Sequence, residues 1–526
     1  MEISDFSRTI RPESGKYRIA QGRYRIGPEL LDDVFRYVPN NKSGLKRILF
    51  NLDGVRDCVI DGGGTELIMR GGLTPFCLRN ARRVTLRNIA IDWERPLYSA
   101  GVITAVGDDW IDLEFPASQP ARLRGEQLFF YGEDYDNSQP WHMLEFDTIK
   151  HETAYKVDDE LLKATQRFRE LGANRFRMIG VELRPCPQIG NTMVFSHELR
   201  YNPGFIMDNC ADVTLENIKL HHAGGMGVNA VNCRNIYLKN VEAVPSEGRI
   251  FSLPADSAHF VDCSGDILLD GCRFENQMDD ALNVHGITYP VARKLSGRAL
   301  LLRMGAHPEQ IGVQTIFSGD TIGVYDANSL ECLAERTVAE ARAYNNTRLE
   351  IVLTEALPEL DRAKLAVMRH CHDANLIVSN GYFAGNRARG LLISTLGKVL
   401  IEHNYFHVPG AAVLIAGDAL SWFESGPVED IEICGNFFDN CNFGPWGRAL
   451  FDIIPEIVPE LRKNAFHRNI RIHDNKIKAF HKPLLYARCV SGLSFENNTV
   501  IASSDYPQSG AESPEMIFDG AVNQSI

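Results

Sequence analysis

The sequence predicts an all-β protein, a right-handed parallel β-helix that carries two small inserted β-barrel or sandwich domains. Three observations predict it. An eight-residue frame with fixed apolar positions recurs nine times along the 526 residues. Uninterrupted copies start 23 residues apart, at 213 and 236, 376 and 399, and 470 and 493. Two stretches that break the series alternate apolar and polar residues at strand length, with turn signals between them, as antiparallel strands do.

The frame reads VTLRNIAI from Val84, VTLENIKL from Val213, IYLKNVEA from Ile236, ILLDGCRF from Ile267 and LIVSNGYF from Leu376. It continues as VLIEHNYF from Val399, IEICGNFF from Ile431, IRIHDNKI from Ile470 and LSFENNTV from Leu493. Positions 1 and 3 are always apolar, and Asn, Gly, Asp or His occupies the bend around position 5. A short strand, a bend that tolerates left-handed backbone and a second short strand follow from that pattern. A unit of this length cannot bury its apolar face alone and must stack on its neighbours, which makes it one coil of a solenoid. Leucine-rich repeats need Leu at fixed offsets and a helical segment, and doubly wound sheets need long helices between strands; the sequence has neither.

The divisions expected are N-terminal coils over 1–96, an inserted β domain over 97–205, coils over 206–286, a second inserted β domain over 287–370, and C-terminal coils with a tail over 371–526. One helix is expected, over 158–172 in DDELLKATQRFRELG, and a polar tail after 501.

Composition narrows the function classes. At 44% hydrophobic and 23% charged the chain is a folded protein, and its net charge of −13 repels the phosphates that dominate nucleic-acid affinity. No nucleic-acid partner is expected. No apolar run reaches about 18 residues, so no membrane-spanning helix is expected either. The start MEISDFSRTI has no basic and apolar leader pattern, which suggests a cytoplasmic protein, or a periplasmic or secreted one if a leader was removed. Twelve cysteines are scattered singly without CxxC pairs, so buried reduced thiols are expected, with no disulfide framework, metal or cofactor.

Three carboxylates form the candidate catalytic group. DSAHFV from Asp256 and DALNVH from Asp280 both begin a strand and lie 24 residues apart, one coil. Equivalent positions on neighbouring coils are about 4.8 Å apart, so Asp256 and Asp280 should stack, with Asp279 leaving the same corner in another direction. Like charges that close are costly, and a purely structural ladder would use Asn; acid clusters persist where they do chemistry or bind a cation. Calcium binding, as in a pectate-lyase-like helix, is the alternative. His259 and Asn283 share a register three residues after the two aspartates, and His285 follows, all as candidate donors to sugar hydroxyls. Trp422 and Glu424 sit in a loop between coils that can overhang the site, and Arg387 is expected one coil beyond Asp279. Glycine-rich GGMGVNA at 224–230 places Gly225 opposite Asp256, leaving room beside the acids.

ENQMDDALNVHG (275–286), PADSAHF (254–260), IDWERP (91–96), NRARGLLIST (386–395) and LIAGDALSWFESG (414–426) together resemble family 110 of the glycoside hydrolases, the inverting α-1,3-galactosidases. The resemblance runs from about 50 to 500. It implies a β-helix with inserted barrels acting on terminal α-1,3-linked galactose, including the blood-group B determinant. Arg95, Arg389, Trp93 and Glu94 enter as site residues through these segments alone. By analogy Asp279 is the general acid and the Asp256/Asp280 pair the base, although the roles of 279 and 280 can be exchanged. A galactose-terminated oligosaccharide or glycoconjugate is the expected partner, with a homodimer as a possible assembly. The rivals are a polygalacturonase-like hydrolase, which needs more basic residues than Arg387 and Arg389 for its anionic substrate, and a non-catalytic glycan-binding β-helix.

Overall fold

The structure is a computed structural model describing all residues except 1, 4–5, 7–8, 133–134, 137–141, 163–164, 198–199, 361–363, 371–372, 482, 508–514 and 526. All nine frame starts stand in one column: Val84 pairs in parallel with Val213, and the series continues through Ile236, Ile267, Leu376, Val399, Ile431, Ile470 and Leu493. The chain is a right-handed parallel β-helix. The fifth residue of every copy has a positive φ: Asn88, Asn217, Asn240, Gly271, Asn380, His403, Gly435, Asp474 and Asn497. Asn, Asp, His and Gly tolerate that conformation where a β-branched residue would be strained, so the frame turns its corner at the same place each time.

Stacking carries the same logic into the core. Phe50, Phe76 and Phe205 lie ring on ring at 4.6 and 4.9 Å. Asn404, Asn436, Asn475 and Asn498 form a ladder in which each amide nitrogen donates to the next amide oxygen at 3.0 Å. The column also extends below Val84 to Cys58, a coil that the frame does not reveal. There the three glycines 62–64 shift the register between Asp61 and Thr65, which disguises the spacing.

Two excursions leave the coils. The first is an eight-stranded, mainly antiparallel sheet running from Tyr98–Val106 to Thr192–Ser196, packed on a core that includes Phe115, Phe130, Phe176 and Phe195. The second grows directly out of the strand Leu282–Lys294. Its first half pairs in parallel with coil strands, and its second half pairs antiparallel with Ala299–Arg303 and Leu365–Arg369.

Four expectations change. The helix over 158–172 does not form at the described positions, where Glu160–Leu161 and Arg167–Gly172 are strands. Arg167–Gly172 pairs with Arg175–Ile179 and buries Phe168 in the barrel core, and this tertiary pairing outweighs a weak helix propensity. The polar tail contributes another coil strand, Met516–Ser525, stacked on Leu485–Glu496. Cys186 and Cys332 are exposed, whereas most of the other described cysteines are buried; Cys371 lies outside the described residues. Val228 stands opposite Ala258, so Met226 rather than Gly225 lies over Asp256. A Cβ on Gly225 would come within 2.7 Å of the Asn41 side chain, so this glycine admits the N-terminal arm.

Candidate active site

Coil register assembles the acids. Ala258 pairs with Leu282 and His259 with Asn283, so Asp256, two residues earlier, stacks on Asp280. Oxygens of Asp256, Asp279 and Asp280 lie within 4.8 Å of one another, and all three residues are buried. Asp279 turns toward two guanidinium groups, accepting from Arg200 and pairing with Arg387 Nη1 at 2.9 Å. One oxygen of Asp280 accepts from both the backbone N–H and the Nε of Arg389, at 3.0 and 2.8 Å. The isolated bridge that Arg387 makes is to Met278, one residue from the register expected, which leaves Arg389 beside Asp280. Arg387 is itself gripped by Asp159 from the first insert, which also meets His142 at 3.0 Å.

These contacts separate the three carboxyls. Burial raises the pKa of Asp279, but Arg387, Arg200 and Arg389 outweigh it and hold the group below the ordinary carboxylate range. Burial pushes Asp280 up to about 7, against the opposing pull of Arg389. Burial and the Asp279 charge raise Asp256 well above its usual value. The expectation of a proton on Asp279 therefore reverses: its arginine cage keeps it ionised, and the proton sits with Asp256 and Asp280. The charge that a cation would neutralise here is already met by three guanidinium groups.

A histidine chain explains the state of Asp256. His285 Nδ1 lies 3.0 Å from the Gly286 carbonyl, which only accepts, so that nitrogen carries hydrogen. Neutral His285 then offers the Nε2 lone pair to His259 Nε2, 2.9 Å away, and His259 must donate. That leaves His259 Nδ1 as an acceptor 2.6 Å from Asp256 Oδ2, so Asp256 supplies the hydrogen. Burial holds His259 down to about 4, so the shared proton rests on the aspartate. The tautomers follow from the hydrogen-bond partners in turn.

Around this group lies a cavity of about 230 Å³. Drug-sized pockets run to roughly 300–1,000 Å³, so this one suits a small polar ligand such as a sugar unit. Asn40, from the N-terminal arm, and Asn283 donate to Glu424 at 2.5 and 3.2 Å. Their own amide oxygens, buried in the cavity lining, have no hydrogen-bond partner among the described residues. Burial raises Glu424, but His285, His259 and the two amides lower it further, leaving it ionised. Trp422 is held at the rim because Asp418 accepts the backbone N–H groups of residues 420–423. Its indole, 52% exposed, lies 4.6 Å from the His307 ring of the second insert.

Comparison with known proteins gives the family. Residues 99–193 match the family described as GLAA-B beta-barrel domain I, and 299–362 match GLAA-B beta-barrel domain II. An alpha-1,3-galactosidase A of Shewanella woodyi is 31% identical over 502 residues, which span 93% of this chain and 80% of that protein. The chain belongs to the α-1,3-galactosidases of glycoside hydrolase family 110. An alpha-1,3-galactosidase B of Bacteroides thetaiotaomicron is 32% identical, with 92% and 80% covered. Among solved structures, an exopolygalacturonase of Thermotoga maritima overlaps with a TM-score of 0.36 at 11% identity, over 98% of this chain and 82% of that one.

In this family 110 glycosidase the cavity brings together Asp256, Asp279, Asp280, His259, Asn283, His285, Arg387, Arg389, Trp422 and Glu424. Arg95 is a correction: it does not line the cavity. Its guanidinium donates to the carbonyls of Pro96 and Tyr98 and to Ser99 Oγ, satisfying the backbone where the chain leaves the coil. Trp93 is buried with Nε1 on the Gly71 carbonyl, and Glu94 pairs outside with Arg25 and Arg70. Sequence reasoning missed Arg200, Asn40, Met226 and Asp418 among the lining residues, and Asp159 behind them. The NRARG segment already contains Arg387 and Arg389, but nothing local marks Arg200 or Asn40.

Proposed function

We propose that this protein is an exo-acting, inverting α-1,3-galactosidase that removes terminal galactose from branched, B-type or linear α-1,3-galactosides. The carrying observation is the aspartate triad in one cavity, with Asp279 held by Arg200 and Arg387 and Asp256 stacked on Asp280 beside it. A glycosidase needs one carboxyl that still holds its proton near working pH and one that is ionised. Asp280 is the proton donor to the departing oxygen, because burial sets its pKa at about 7. Asp279, kept ionised by Arg200 and Arg387, receives the proton of the attacking water. Asp256, neutral through His259, can hold that water without adding charge.

The ionised Glu424, on the cavity lining, offers an acceptor for sugar hydroxyls. The arginines facing the cavity are paired with Asp279, Asp280 and Asp159, which favours a neutral sugar over a uronate. The nearest triad oxygens are within 4.8 Å, shorter than the roughly 6.5–9.5 Å common for inverting pairs and nearer the roughly 5–5.5 Å of retaining ones. Inversion therefore rests on the family resemblance. Proton NMR during the first minutes of hydrolysis tests it: β-galactose must form first from the α-linked substrate. Initial α-galactose would refute inversion, and absence of any released galactose would refute the galactosidase reading.

A further inference from the structure

A second, open cleft of about 250 Å³ adjoins the catalytic cavity and shares Ile454 and Glu456 with it. The strands beneath explain its direction. Leu282–Lys294, Leu391–Ile393, Val413–Gly417, Phe451–Pro455 and Leu485–Glu496 pair in parallel as successive coils. The catalytic cavity follows this face outward through Leu392, Leu414 and Ile454, and the cleft continues along it to Arg488. With about 4.8 Å per coil, the face is long enough for more than one sugar ring.

The chemistry of the cleft is that of a hydroxyl-binding surface. The Arg448 side chain is 49% exposed and only loosely paired, 4.0 Å from Asp452, with its guanidinium carbon 5.3 Å from the centre of the Tyr486 ring. Arg488 donates to Tyr486 Oη at 3.0 Å and to Asp519 at 2.9 Å, and Arg462 also binds Asp519, so these two arginines already share one carboxylate. Glu456 contributes an exposed carboxyl whose pKa is raised by desolvation. An exposed arginine with donors to spare and a carboxyl that share one cleft suit the vicinal hydroxyls of a saccharide.

We propose that this cleft binds the saccharide from which galactose is cut, holding the leaving side of the substrate through Arg448 and Glu456; the proposal rests on the galactosidase reading above. Its test uses the full chain carrying Arg448→Ala, and separately Val458→Trp, which fills the cleft from another residue. The measurements are kcat/KM on an α-1,3-galactosyl trisaccharide and the inhibition constant of free galactose, which occupies the catalytic cavity alone. Both variants should lose about tenfold or more in kcat/KM, the worth of a hydrogen bond from a charged group, while galactose inhibits as it does the wild type. Galactose inhibition weakened in step with cleavage would overturn the proposal, since the cleft would then serve the galactose itself. So would unchanged kcat/KM in both variants. A wild-type chain that released galactose from no substrate would overturn the galactosidase reading, and this proposal with it.

Discussion

A single residue position decides the chemistry of the triad. Asp279 and Asp280 are neighbours in sequence, yet one faces Arg200 and Arg387 and the other lies buried against Arg389 alone. Asp280→Asn removes the transferable proton, so kcat/KM on a natural disaccharide should fall about 10²–10⁴-fold, and far less on an aryl galactoside whose phenolate leaves unaided. Asp279→Asn should impair both substrates alike. If Asp279→Asn alone shows the leaving-group dependence, the two roles are exchanged. The same assignment sets a pH profile: the acid is active while protonated, so wild-type kcat/KM should decline as pH rises through about 7. Folding stability follows the same sign. The folded pKa lies above the unfolded value of about 3.9, so the contribution of Asp280 is full below that value and is lost as pH rises through about 7. Denaturant titrations of Asp280→Asn should show a shallower decline over that range. The stacking of Asp256 on Asp280 was legible because one coil is 24 residues long at that point. The ionisation of Asp279 was not, because Arg200 lies 79 residues away and meets it only through the path of the insert.

Individual coils are legible for a reason that applies to every element of this fold. The bend residue must accept a left-handed backbone and the inward residues must be apolar, so each coil repeats the same two demands and the sequence repeats with them. Elements outside the column lack that constraint. Residues 158–172 carry a helical composition, yet barrel pairing draws Arg167–Gly172 into a strand. The asparagine ladder shows what a coil-to-coil contact is worth. Asn436 donates to Asn475 Oδ1 and to the carbonyls of Ile401 and Cys434, and accepts from Asn404, all within the interior. Asn436→Ala takes the side-chain acceptor from the buried backbone N–H of Asn404 and the amide donor from the carbonyls of Ile401 and Cys434, at about 1–3 kcal/mol for a buried group left unpaired. Urea unfolding should report a loss of at least that size. A variant within about 0.5 kcal/mol of wild type would mean that the ladder fills space without holding the coils.

On the scale of the whole molecule, the two inserts do more than decorate the solenoid. The second supplies His307 against Trp422, and the first supplies the residue that fixes the arginine behind Asp279. Asp159 touches none of the three acids in any hydrogen bond or ion pair described, but it grips Arg387 through two oxygens and also faces His142 and Trp446 Nε1. Burial raises the pKa of Asp159, yet His142 and Arg387 bring it far below the ordinary range, so it is an anion at any working pH. Asp159→Asn keeps the shape, removes one charge and releases Arg387 from a partner that competes with Asp279. Arg387 should then bind Asp279 more tightly and make it a poorer acceptor for the water's proton, lowering kcat by about tenfold or more while KM changes little. A structural role alone would lower the melting temperature and leave kcat of the folded fraction intact. The measurement is therefore kcat against KM on protein whose melting curve matches wild type. Unchanged kcat would show that the first insert braces the coil without tuning its chemistry.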